Sequence, residues 1–89
     1  MRAGVSVIGK DMVGILAKVS GECKQANMNV IEVTQSLLQD MFAMIMLIDI
    51  SKGNVSLAEF AAHMEEVGNQ SGLKIHVMHE DIFNSMHKI

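Results

Sequence analysis

Apolar and polar positions change their period along this chain, and each change marks an element. Ala3, Val5 and Val7 alternate with Gly4, Ser6 and Ile8 until Gly9, the two-residue period of a short strand. Over 13–26, Ile15, Leu16, Val19, Cys23 and Ala26 recur at steps of three and four, the buried stripe of a helix. Lys18, Glu22, Lys24 and Gln25 fall on its wet side. Asn27-Met28-Asn29 reads as a turn, and 30–39 is rich in β-branched residues that suit a pleated surface. A turn at Gln39-Asp40 leads into a further strand over 42–50, close enough to pair with its predecessor as a hairpin. Ser51-Lys52-Gly53-Asn54 is a loop by composition. Ser56-Leu57-Ala58-Glu59 has the spacing of a capping box. Leu57, Phe60, Ala61, Met64 and Val67 then form the stripe of a second helix, which ends near 69–72. Leu73, Ile75, Val77 and His79 alternate with Lys74, His76 and Met78 as a fourth strand. Asp81 is placed to cap a short terminal helix with Ile82, Phe83, Met86 and Ile89 on one face.

The order β-α-β-β-α-β with a helical tail predicts an α+β, ferredoxin-like sandwich over residues 1–89, a single domain. Right-handed crossovers give it a four-stranded antiparallel sheet with both long helices on one face. The third strand is apolar on both faces: Phe42, Met44, Met46, Ile48 and Ile50 alternate with Ala43, Ile45 and Leu47. Helices on one side leave the other in water, where a lone domain shows polar residues. Either these are scattered exposed apolar groups, or a second copy buries the second face or an edge. The second reading is favoured, because a small domain gains most from oligomerising. A homodimer is therefore expected.

Composition narrows the class. The chain has 89 residues, one cysteine, no proline, no tryptophan and no tyrosine, and 49% of it is hydrophobic. Cys23 has no partner for a disulfide, and so apolar a chain folds. A net charge of −3 and 3% aromatic residues argue against nucleic acid, which needs basic surface and stacking rings. The N-terminus enters the first strand without an apolar signal core. The run 41–48 falls far short of the roughly 20 residues that span a bilayer. A cytoplasmic protein with no membrane partner is expected.

The loop Gly9-Lys10-Asp11-Met12-Val13-Gly14 follows the first strand. Ile15-Leu16 stand where a nucleotide phosphate loop needs Lys and Ser or Thr. A metal carrier on this fold would place Cys-x-x-Cys here, and an acyl-phosphate hydrolase an arginine. An RNA-recognition version would carry stacking aromatics on its inner strands, where Phe42 stands alone. His76 and His79, three apart on one strand, face opposite sides; with His63 and His87 they read as ordinary surface or half-buried histidines. No metal, cofactor, nucleophile or acid–base pair is expected, hence no enzyme. Cys23, on an apolar stripe, reads as an inert thiol.

Three residues of the loop region keep two readings each. Gly14 serves close packing of helix on strand, or its missing Cβ lets a small ligand reach free N–H groups at the positive helix end. Asp11 caps the helix or meets a ligand amine. Asn29 is turn chemistry or a polar contact to the same ligand.

Gly9-Lys10-Asp11-x-x-Gly14-Ile15-x-x-x-Val19-Ser20, followed by Asn29-Val30-x-x-Val33-x-Gln35, resembles an ACT domain, the small regulatory module of amino-acid metabolism. The resemblance runs through the tail Ile82-Phe83-Asn84-Ser85-Met86. It is closest to stand-alone single-ACT proteins of bacteria and archaea, similar to the halves of the glycine cleavage system's transcriptional regulator. It implies binding rather than catalysis: ACT domains pair, often edge to edge, and hold amino acids at the interface. The family's ligand positions match Asp11, Gly14 and Ile15 on the loop side, and Asn29 and Val30 on the partner subunit's strand. ACT domains usually regulate an enzyme fused to them. None is fused within these 89 residues, so the output is expected in a separate enzyme or regulator, or in a bound metabolite. The rival expectation is an interaction subunit without a ligand that docks through a Met-rich strand, Met44 and Met46 being soft enough to fit varied surfaces.

Overall fold

The computed structural model describes residues 1–10 and 14–86. Seven elements follow in order: β1 (Arg2–Gly9), α1 (Ile15–Gln25), β2 (Asn29–Leu38), β3 (Met41–Asp49), α2 (Leu57–Ser71), β4 (Lys74–His79) and α3 (Glu80–Met86). The strands make one antiparallel sheet in the order β2-β3-β1-β4. This is the ferredoxin-like arrangement that the hydrophobic pattern predicts.

Alternation decides which side of the sheet each residue serves. Ala3, Val5 and Val7 of β1 and Phe42, Met44, Met46 and Ile48 of β3 are buried. They form one core with Ile15, Val19 and Cys23 of α1 and Phe60, Met64 and Val67 of α2, so both long helices cover the same face. Met44 and Met46 are wholly inaccessible. Docking through them, as the rival sequence reading has it, is thereby excluded: they point under the helices, not outward. Leu16, assigned to the buried stripe of α1, is 39% exposed.

Helix α2 begins as its sequence predicts. Ser56 Oγ accepts the Glu59 N–H at 3.1 Å, and the Ser56 hydroxyl donates to Glu59 Oε1 at 3.2 Å. It ends at Gly72, whose left-handed backbone (φ 73°) carries its N–H back to the Gly68 carbonyl. The Leu73 N–H donates to that same carbonyl at 2.8 Å. This double closure drops the chain straight into β4.

The tail differs from expectation. Helix α3 starts at Glu80, and His79 Nδ1 accepts the Asp81 N–H at 3.1 Å; the residue that caps is His79, with Asp81 already inside the first turn. Phe83 is buried while Ile82, expected beside it, is 57% exposed. A Cβ on Gly4 would stand 2.1 Å from the Phe83 ring, so the ring lies directly on Gly4. Gly4 alternates with the core residues Ala3 and Val5, so α3 sits on the face opposite α1 and α2. An Arg2–Glu80 ion pair ties its start to β1. Part of the face assigned to a second copy is thus covered by the chain itself.

Candidate functional site

Three strand and helix ends meet where β1 gives way to α1. Gly14 is the N-cap residue of α1 at φ 74°, ψ 3°. Among the described residues nothing lies within 4 Å of the point a Cβ would occupy there, so none of them supplies the close packing that one reading of this glycine requires. Left-handed backbone is what demands it, and the space beside it is open. Asp11, expected to cap this helix, lies outside the described residues; the cap position itself falls on Gly14. Ile15 is 4% exposed and belongs to the core, so it can offer a ligand only its backbone. Ile8, Gly9, Lys10, Met41 and Gly72 help line a hollow of about 340 Å³ to which neither Gly14 nor Ile15 contributes.

Asn29 and Val30 lie at the other end of α1. They border a smaller hollow of about 240 Å³ with Ser20, Lys24, Asn27 and Met28. Eleven helical residues at 1.5 Å each put about 15 Å between the two ends. Within one chain, therefore, the structure does not bring Gly14 and Ile15 together with Asn29 and Val30.

Strand β2 is the edge next to β3, and its side chains from Asn29 to Leu37 are all exposed. Helix α1 approaches β2 more than any other strand yet leaves these side chains exposed. Ile31 is the extra residue of a bulge between Val30 and Glu32. The bulge shifts Val30 onto the same side as Val33, Gln35 and Leu37, which pair with β3 residues of the core face. Val30, Val33 and Leu37 are 37%, 36% and 57% exposed. A long edge strand with an apolar stripe is a template for pairing with another chain.

Two further side-chain features emerge from the fold. Glu22 and His63 meet across α1 and α2 at 2.6 Å, beside a hollow of about 310 Å³ that Asn54, Glu59 and Phe60 also line. The pair is largely solvated, and such pairs contribute a fraction of a kcal/mol. Cys23, one residue along, is inaccessible. Burial, helped by the Glu22 charge, pushes its thiol from 9.0 up to about 11. At pH 8 the thiolate is scarcer by a factor on the order of 100 than on an unfolded chain. Cys23 is expected to ignore a disulfide reagent in buffer and to react in full once denaturant is added, which a colorimetric thiol assay would follow. The stability that its protonated form lends is complete below about 9 and is lost as pH rises through about 11.

Among the described residues, no three or more His, Cys, Asp or Glu side chains cluster to hold a metal ion. Among the same residues, no helix is long and apolar enough to cross a membrane. A four-stranded antiparallel sheet carrying two helices on one face, with a glycine at the start of α1 and an exposed edge strand, defines a small α+β domain of ferredoxin-like type. The chain belongs to the ACT domain family, whose model matches residues 4–78. A UPF0237 protein of Methanocaldococcus jannaschii is 42% identical over 88 residues, covering 99% of this chain and 98% of its own. An ACT domain protein from Streptococcus pneumoniae superposes with a TM-score of 0.82 at 29% identity, covering 93% of each chain. A structure described as a glycine cleavage system transcriptional repressor shares the fold, with a TM-score of 0.73 at 24% identity over 85% of this chain and 43% of that one. ACT domains are typically ligand-binding regulatory modules of amino-acid metabolism.

Proposed function

We propose that this chain works as a homodimer, paired through β2, that binds a small amino acid or related metabolite at the interface and regulates amino-acid metabolism without itself catalysing a reaction. The observation that carries the reading is the exposed β2 edge with Val30, Val33 and Leu37 along it. A two-fold axis through the middle of β2 sets two such strands antiparallel, each contact occurring twice. Asn29 pairs β3 at Asp49 and Leu38 pairs it at Met41, at opposite ends of the strand. The partner's start of β2 then lies beside this chain's end of β2, which is also where α1 begins. Pairing so brings the partner subunit's Asn29 and Val30 to Gly14 and Ile15, the four residues that a single chain keeps about 15 Å apart.

In that arrangement the backbone N–H groups of the first turn of α1 and its positive end receive the ligand's carboxylate. Asp11 takes its ammonium group and the partner subunit's Asn29 amide adds a neutral hydrogen bond. Ligand binds across both chains, so occupancy tightens the dimer by as much as the ligand prefers dimer to monomer. A bound metabolite, or a separate enzyme or regulator that reads the tightened dimer, is the output.

Calorimetric titration with the amino acids, one at a time, tests the reading. One selective amino acid is expected to bind. Gly14→Asn is the informative variant, because asparagine tolerates left-handed backbone while its side chain fills the open space beside Gly14. That variant is expected to fold, to remain dimeric and to lose at least about ten-fold in affinity. Unchanged affinity would move the pocket away from this helix start.

A further inference from the structure

The face of the sheet opposite α1 and α2 has two unlike halves. Helix α3 occupies the Gly4 end, with Phe83 on Gly4. The other end is a hollow of about 440 Å³ lined by Ser6, Ile8, Ala43, Ile45, His76 and Met78. Strand β1 has eight residues, about 27 Å at the rise of a strand. A helix with its side chains is about 10 Å across, so the face has length for two helices side by side and, among the described residues, carries one.

Helix α3 has what the hollow lacks. Ile82 stands out from it, 57% exposed, and Asp81 beside it has a side chain 89% exposed. The hollow has an apolar floor and a basic rim, with Lys74 pairing β1 at Ile8 and His76 at Ser6, both exposed. Among the described residues the Asp81 carboxylate pairs with its own His79, at 3.7 Å. Apolar knob with acidic neighbour on one half, apolar hollow with basic rim on the other, makes the face complementary to itself. The helix that supplies the knob also lies beyond residues 4–78, the span of the family model.

We infer that two copies of this chain stack through this face, each laying α3 in the other's hollow, Ile82 on Ile8, Ala43 and Ile45, and Asp81 against Lys74 and His76. A two-fold axis lying in the plane between the sheets produces both contacts at once, and the two α3 helices fill the layer side by side at the usual 8–10 Å. This contact is separate from β2 pairing. With both in place the assembly is a dimer of dimers.

Sedimentation equilibrium on the full chain separates the two contacts. In a Val33→Lys background, where β2 pairing is blocked, the chain is expected to form a dimer whose strength falls as salt rises. Adding Ile82→Asp is expected to weaken that dimer at least about ten-fold. Lys74→Glu or Asp81→Lys alone is expected to weaken it, and the two together to restore it. All four positions are exposed, so the variants keep their fold. A Val33→Lys chain that stays monomeric up to about 1 mM would overturn the inference, as would a dimer indifferent to Ile82→Asp or charge reversals that fail to compensate. Association of the unaltered chain that is lost in Val33→Lys and not through the face would leave the β2 reading standing alone.

Discussion

Gly68→Val is expected to lower the melting temperature by about 15 °C. Gly68 is buried in the last turns of α2. A Cβ there would stand 2.8 Å from the Leu73 carbonyl oxygen, 3.1 Å from Ile75 Cγ1 and 3.3 Å from the Ile75 N. Two of those three atoms are backbone of the chain entering β4, and the Gly68 carbonyl itself holds that entry through Gly72 and Leu73. The collision cannot be relieved by turning a side chain. Overpacking of this kind costs up to about 3 kcal/mol, against a total stability on the order of 10 kcal/mol for a chain this size. Helix propensity recovers only a few tenths from glycine to valine. Gly72→Ala is the control: that glycine has φ 73° and nothing within 4 Å, so it loses only the 1–2 kcal/mol of left-handed strain. Thermal melts of the two variants, followed by circular dichroism, distinguish contact from conformation. Equal losses would mean that backbone strain, not close approach, dictates both glycines.

Val33→Lys is expected to turn the β2-paired dimer into monomer and to abolish ligand binding with it. The side chain is at the centre of β2, opposite Met46 and on the helix side of the sheet, and 36% exposed in the single chain. In a two-fold pairing centred there, one substitution places two ammonium groups against each other in the driest part of the interface. Like charges opposed across strands are destabilising, and lysine on an edge is a common guard against pairing. Within the monomer the residue is at the rim of the core, so folding survives. Light scattering gives the mass and calorimetry the ligand response. A monomer that still binds the same amino acid would place the whole site on one chain and remove Asn29 from it.

The four strands and both long helices could be read from period alone, because alternation and the three-to-four step each report a local geometry; which face of β3 lies inward could not, since both are apolar, and the rival reading put the buried Met44 and Met46 outward. The capping box at Ser56 was legible for the same reason. What escaped depended on distance in space. Glu22 and His63 are 41 residues apart, and nothing near either predicts the other. The bulge at Ile31 reverses the parity of Val30 against Val33, so the pattern places Val30 with Glu32 and hides the apolar stripe of the edge. Leu16 has the right spacing for the core of α1 and is nonetheless left partly outside it. Gly14 could be singled out from the sequence, but only its positive φ in the folded chain points to backbone need rather than packing. On the tail, Ile82 and Phe83 are adjacent and equally apolar, and which of them is buried was decided by a glycine almost eighty positions earlier.

The position of β1 between β3 and β4 also sets a timetable for the newborn chain. One edge of β1 finds its partner when β3 is made, while the other waits for residues 74–79. At a synthesis rate of about 5–20 residues per second, Ala3, Val5 and Val7 spend seconds beside an unfilled seam. Helix α2 is complete before that seam closes, yet it packs chiefly with the strand still missing. The sheet therefore closes only once residues 74–79 have been made, and a chain halted before them would hold an open sheet.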